Sequence, residues 1–278
     1  MNLPTPLKLA LVLSLLISQS YSNAFFYKKP KHRDVLRTYN SGNTNQYLDK
    51  NGKIELLVWN MYKGKKDNWE ADFKKLSANS QLLLTQEMFM KGKMNKVFGQ
   101  FGDFEYTTAT SFYVKKKYPT GVATIASAPS SSKRYFISRN KEPLIMTPKV
   151  TLINTYPLSN GESLLTINIH AINFVTNRIL KRQLNDLAFY AKWHQGPVIF
   201  AGDFNTWTKK KQRTLRGIMN SLNLTEVKYK ASTDHRMRFN GKVLDFIFYR
   251  GLELNSASVL GHINGSDHKP LIASFNIN

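Results

Sequence analysis

The sequence has no cysteine. That removes a disulfide framework, a thiolate nucleophile and a lipidated cysteine at a leader cleavage site, so stability rests on packing. Acids are scarce: 18 Asp and Glu stand against 40 Lys and Arg, a formal charge of +22 over 278 residues. Such a field favours polyanions, whether nucleic acid or an anionic membrane face, and says nothing about fold. Long apolar stretches are missing too. The run from Leu9 to Ile17 is about nine residues, where a membrane-spanning helix needs about 20, and no later segment approaches that length.

What remains is ordinary globular material, with 42% hydrophobic and 12% aromatic residues, enough to fill a sizeable core. Residues 1–24 carry Lys8, the short apolar run and then small residues, with cleavage expected after Ser22 or Ala24. This is the pattern of a secretory signal peptide, and the mature chain is expected in the periplasm or secreted. Residues 25–52 lack apolar periodicity and read as a basic N-terminal arm or loop. Residues 53–278 show no fixed repeat and no further linker, so one domain is expected.

Within that domain, short apolar runs of strand length lie at 54–59, 81–84, 164–169, 198–201, 244–249 and 271–275. Helical patterns lie between them at 69–78, 177–193 and 209–222, the second stopped by Gly196-Pro197. Strands alternating with helices, and strands apolar on both sides, predict a mixed α/β fold with its sheets covered on both faces.

The chemistry stands at the ends of those strands. Val198-Ile199-Phe200-Ala201-Gly202-Asp203-Phe204-Asn205 delivers a carboxylate and a carboxamide two residues apart, which an extended chain would point into one space. That pair suits a phosphate: one group holds water or a metal, the other donates without repelling the anion. Gly265-Ser266-Asp267-His268-Lys269-Pro270 is a turn with an acid beside a histidine. Asp245 sits in an apolar strand, where a buried charge needs a partner, and His268 is expected to be that partner. Asn60 and Glu87 end two further strands, and His170 a third. Asp203 and Asn205 could instead cap the helix at 209–222, and Asp267 could serve only an Asx-turn. No Ser, Cys or Tyr stands in an activated setting, and the histidines are too few for zinc. Carboxylate and amide oxygens suit Mg²⁺, or Mn²⁺.

In chain order, Trp59-Asn60, Gln86-Glu87, Asn168-Ile169-His170, Gly202-Asp203-Phe204-Asn205, Leu244-Asp245-Phe246-Ile247 and Ser266-Asp267-His268 resemble the motifs of the endonuclease/exonuclease/phosphatase superfamily. The resemblance implies a four-layer α/β/β/α sandwich, two central mixed sheets flanked by helices, and metal-dependent phosphoester hydrolysis. It further implies that Asn60, Glu87 and Asp267 serve a metal and that Asp203 aligns or deprotonates water. Asn205 would hold a phosphate oxygen, His268 supported by Asp245 would be base or phosphate contact, and His170 would serve the leaving group. Whether His268 or Asp203 is the base stays open. Lys141-Glu142-Pro143 departs from the Arg-Glu-Pro of nuclease relatives, and a lysine cannot make a bidentate phosphate contact.

Basic residues follow these motifs: Lys63, Lys65 and Lys66; Lys91 and Lys93; Arg178, Lys181 and Arg182; Lys209 to Lys211; with Arg236 and Arg238 before Asp245. A cationic collar around the site is therefore expected, with Trp207, Trp69 and Phe89 for stacking. The leading function is an exported nuclease acting on DNA or RNA. A phospholipid phosphodiesterase of sphingomyelinase type, docking on an anionic membrane surface, and a non-catalytic polyanion binder are the alternatives.

Overall fold

The structure is a computed structural model and describes residues 27–40, 42, 44–100, 102–143 and 145–277; the expected signal peptide lies outside the described residues. In chain order the strands are β1 (Leu36–Asn40), β2 (Lys53–Asn60), β3 (Leu82–Phe89), β4 (Glu105–Val114), β5 (Tyr118–Ala126), β6 (Ser132–Ile137), β7 (Val150–Pro157), β8 (Ser163–His170) and β9 (Val198–Asp203). They continue with β10 (Thr225–Glu226), β11 (Arg238–Phe239), β12 (Lys242–Val243), β13 (Asp245–Arg250), β14 (Leu252–Val259) and β15 (Leu271–Ile277). The helices are α1 (Trp69–Ser77), α2 (Lys93–Phe98), α3 (Asn177–Trp193) and α4 (Lys209–Ser221).

Two large sheets form, one ordered β1-β4-β5-β3-β2-β15-β14 and the other β10-β13-β9-β8-β7-β6. Each is mixed: β2 with β3, and β8 with β9, run parallel, and the remaining pairs are antiparallel. Apolar side chains alternate along each strand between two neighbours, as the pleat requires. Leu56, Val58, Leu82 and Leu84 meet Leu164, Ile199, Ala201 and Ile247 between the sheets. Leu57, Trp59, Leu83 and Ile125 turn outward onto Trp69, Phe73, Val97 and Phe98 of α1 and α2. Ile167, Ile169, Phe200 and Phe246 turn outward onto Leu180, Leu184, Leu187, Leu215 and Met219 of α3 and α4. Three apolar layers between four structural layers make the α/β/β/α sandwich.

The described part of residues 25–52 is not a free arm. Leu36–Asn40 pairs along β4, and Val35 and Leu48 are fully buried. In that strand Leu36 is half-buried, while Arg37, Thr38 and Tyr39 are exposed, so it gave no apolar signal. Trp69 is likewise buried against Phe73 and is unavailable for stacking a ligand.

Candidate active site

Register assembles the centre of the site. In β9, Asp203 stands opposite Asp245 of β13 on one side and His170 of β8 on the other. Three chain-distant polar groups thus reach one rim because three hydrogen-bonded strands end or begin there. Gly202 makes the approach possible. Its φ is +135°, and a Cβ would lie 2.0 Å from the Ile169 carbonyl oxygen of β8. The second sheet brings Asn60 and Gln86 side by side at the ends of β2 and β3. Gln86 Nε2 donates across the inter-sheet space to Asn168 Oδ1 (2.8 Å), tying the two sheets together beneath the site.

Asn60 Nδ2 donates to Asp203 Oδ2 (3.1 Å), and the Asn205 backbone N–H donates to Asp203 Oδ1 (2.9 Å). The chain therefore does not stay extended through Asn205. It turns there with φ +50°, because the Asp203 carboxylate draws the amide two residues on into an Asx-turn. Asn205 still lines the same cleft, its Nδ2 donating to the Ala171 carbonyl (2.9 Å). Helix α4 is capped by Thr208, whose hydroxyl accepts from Lys211 N (3.1 Å), so Asp203 and Asn205 are not spent as caps.

His268 Nδ1 lies 2.8 Å from Asp245 Oδ2, and both side chains are buried. Burial works against charge on the imidazole, yet the Asp245 carboxylate, with Asp203 and Asp267 behind it, holds His268 up to about 10. Asp203 moves upward instead, because burial and the Asp245 charge both disfavour its ionised form. His170 is pressed well below the histidine range by burial and by Lys149. It is therefore neutral, and its 3.6 Å approach to Asp203 is not an ion pair. The turn carrying His268 is pinned to β2: Trp59 Nε1 donates to the His268 carbonyl (3.0 Å) and Ser266 Oγ donates to the Asn60 carbonyl (2.7 Å).

Glu87 sits at a bulge of β3 with φ +55°. Its Oε2 accepts from Lys63 Nζ at 2.7 Å. Burial opposes its charge, but the Lys63 and Lys149 ammonium groups hold it well below the usual carboxylate range. Asn60, Glu87 and Asp267 line one cleft of about 440 Å³ with His170, Asp203, Asn205 and His268. Asp245 stands directly behind His268. All eight residues singled out in the sequence are thus neighbours.

The donor set fits a hard divalent cation. Glu87 already holds a cation, the Lys63 ammonium, on which Glu142 and Asp267 also act. Asp203, Asp245 and His268 form another group, with ligand atoms within 4.8 Å of one another. There, however, Asp245 and His268 already satisfy each other, and a positive imidazole would face the ion. The Asn60, Glu87 and Asp267 side offers oxygens without an imidazolium among them, which suits a hard divalent cation.

The expected collar does not line the cleft as a whole. Of its cations only Lys63 lines the cleft, joined by Lys149, which sequence reading missed. Arg236 is buried, paired with Asp234 (2.8 Å), and Lys211 is buried over the Trp207 ring (4.3 Å). Trp207 lines the cleft with Phe174 and Phe239, whereas Phe89 packs on Tyr118. Glu142, in the departure from Arg-Glu-Pro, accepts from the Asn173 backbone (3.0 Å) and pairs with Lys149 (3.4 Å), and so fixes the loop after β8. Asn173 was signalled only by its position after His170.

The chain matches the Endonuclease/Exonuclease/phosphatase family over residues 57–268. It is 39% identical over 233 residues to the UPF0294 protein VP2298 of Vibrio parahaemolyticus, covering 83% of this chain and 80% of that one. Among solved structures, an endonuclease/exonuclease/phosphatase from Beutenbergia cavernae superposes with a TM-score of 0.66 at 12% identity, over 81% of this chain and 72% of that one. TDP2 of D. rerio, complexed with a single strand DNA product, superposes with a TM-score of 0.58 at 14% identity, over 81% of this chain and all (100%) of that one.

Proposed function

The chain belongs to the endonuclease/exonuclease/phosphatase family, and on that premise we propose that it is an exported, divalent-metal-dependent phosphodiesterase that hydrolyses DNA or RNA. The observation that carries this reading is the buried His268–Asp245 pair facing Asp203 in a cleft that also holds Glu87 and Asp267. In the proposed reaction Asp203, whose surroundings favour a bound proton, takes the proton of the attacking water. The His268 imidazolium, oriented by Asp245, and the free amide hydrogen of Asn205 donate to the phosphoryl oxygens. As the water oxygen bonds to phosphorus the bond to the leaving oxygen breaks; neutral His170 would donate a hydrogen bond to that oxygen, which takes its proton from solvent. Asn60, Glu87 and Asp267 would hold Mg²⁺ or Mn²⁺, which when bound supplies positive charge for the phosphoryl group.

Nucleic acid is favoured as substrate by three features. The chain carries a charge of +22, the cleft wall presents Lys63 and Lys149, and Phe174, Trp207 and Phe239 stand together in the same cleft as Asp203 and His268. A structural neighbour, TDP2 of D. rerio, was solved with a single strand DNA product. Metal-dependent product release from plasmid DNA, RNA and sphingomyelin, with Asp203→Ala and His268→Ala as controls, tests the proposal. Cleavage of sphingomyelin alone would shift the reading to a phospholipase-type enzyme, and undiminished activity in both variants would refute the site. Export is checked by N-terminal sequencing of protein recovered outside the cytoplasm, which should begin at Asn23 or Phe25.

A further inference from the structure

Helix α3 has a face that the catalytic cleft does not use. Its buried stripe, Leu180, Gln183, Leu184, Leu187 and Ala191, lies on the six-stranded sheet and on α4. The opposite side exposes Arg178, Lys181, Arg182, Asn185, Phe189, Lys192 and Trp193. At 100° per residue these fall within an arc of about 120°. Phe189 and Trp193, 62% and 64% exposed, are the most exposed large apolar side chains among the described residues. They sit one helical turn apart, edge to face, with ring centroids 6.5 Å apart.

The neighbouring helix extends the positive field. Lys209, Lys210 and Arg213 of α4 are exposed, and Asp186, the one acid in the two helices, is paired with Arg139 at 3.2 Å. A helix that presents Trp and Phe among Lys and Arg, with no free acid, has the make-up of an element lying in the headgroup region of an anionic bilayer. We infer that the outer face of α3 docks the protein on an anionic phospholipid surface, with Phe189 and Trp193 entering the headgroup boundary and Arg178, Lys181, Arg182 and Lys192 meeting lipid phosphates. A nucleic acid strand fits this face less well. The two aromatics are packed edge to face, and the Lys192 ammonium lies 5.4 Å over the Trp193 ring, where a base would need to stack.

Direction follows from the topology. Helix α3 starts from the loop holding Asn173 and Phe174 at the cleft and runs back to His194, whose Nε2 meets the carbonyl of Ser163 at the start of β8 (2.7 Å). Phe189 and Trp193 therefore lie about 18 and 24 Å along the helix from its first residue, toward the end of the sandwich away from the cleft. Docked there, the protein keeps the cleft open to solvent.

The test is co-sedimentation of the whole protein with vesicles of phosphatidylcholine alone and of phosphatidylcholine mixed with phosphatidylglycerol. The protein should pellet with the mixed vesicles and not with phosphatidylcholine. The double variant Phe189→Ser/Trp193→Ser should lose about tenfold or more of that partitioning, while turnover of a soluble phosphodiester is unchanged. Equal pelleting of the double variant, or no pelleting of the parent, overturns the inference. So does a loss of RNA affinity in the double variant with vesicle binding intact, which would assign the face to nucleic acid. None of these outcomes depends on the cleft being a nuclease site.

Discussion

Asp245 and His268 form a buried pair 2.8 Å apart that joins a strand of one sheet to the turn leading into a strand of the other. Asp245 is a positioning residue, since it orients the imidazole and acts on Asp203 by its charge. His268→Ala is expected to lower turnover by about 10² to 10⁴-fold. Asp245→Asn should lower it less and move the alkaline limb of the pH–rate profile to lower pH, because the imidazole loses the carboxylate that keeps it charged. An unmoved limb in Asp245→Asn would rule out this support.

The same pair links stability to pH. His268 binds its proton more tightly folded than unfolded, rising to about 10 from an ordinary value near 6.5. Its contribution is therefore fully present below about 6.5 and is lost as pH climbs toward 10. Denaturant unfolding of the parent and of His268→Gln, followed across that window, should show the parent's advantage shrinking with rising pH. A constant difference would contradict it.

Lys211 works in the opposite sense. Its Nζ is buried without a hydrogen-bond partner among the described residues, and burial lowers the ammonium to about 8. The unfolded chain holds that proton up to about 10.4, so the penalty is complete below 8 and is relieved as pH rises through the interval. Lys211→Met should raise stability at pH 7 by about 1 kcal/mol, reduced by the lost cation–π contact with Trp207. Thermal melts at neutral and alkaline pH would read it.

Lys63 occupies the place beside Glu87 that a divalent ion would take in the proposed site. Calorimetry or Mn²⁺ spin resonance should find tighter Mn²⁺ binding in Lys63→Met, by about threefold to tenfold, and binding weakened at least about tenfold in Glu87→Gln. Weaker binding in Lys63→Met would mean that the two cations do not compete.

Gly202→Ala would drive a methyl to 2.0 Å from the Ile169 carbonyl at φ +135°. The expected cost is about 2–4 kcal/mol or an insoluble product, measured by chemical denaturation.

The strands that carry the site were legible because each is an apolar run that carries Asn, Glu, His or Asp at or near one end, a contrast that stands out in a chain poor in acids. The β1 side of the first sheet was not. Strand β4 is largely buried yet reads Glu-Tyr-Thr-Thr-Ala-Thr-Ser, its polar groups satisfied by chain-distant partners, as where Ser111 Oγ donates to the Pro148 carbonyl (2.6 Å). Its hydroxyls hide the apolar signal that burial would otherwise leave. Gln86 was read in a motif but given no part to play, because its partner Asn168 lies 82 residues on and no local pattern announces such a meeting. Lys149 drew no notice because its partner Glu142, seven residues back, lies across a loop without periodicity. The collar failed because residues next to a motif in sequence need not share its surface: Lys211, six positions after Asn205, already points into the protein.

The placement of Asp245 and His170 on either side of Asp203 is a property of the hydrogen-bond ladder rather than of the loops that leave it. The segments 172–176, 206–208 and 231–243 can therefore change length or composition and re-aim the cleft at a different ester while the reacting groups keep their spacing. Diversity of substrate can accumulate at the rim of such a molecule without the machinery beneath having to be invented again.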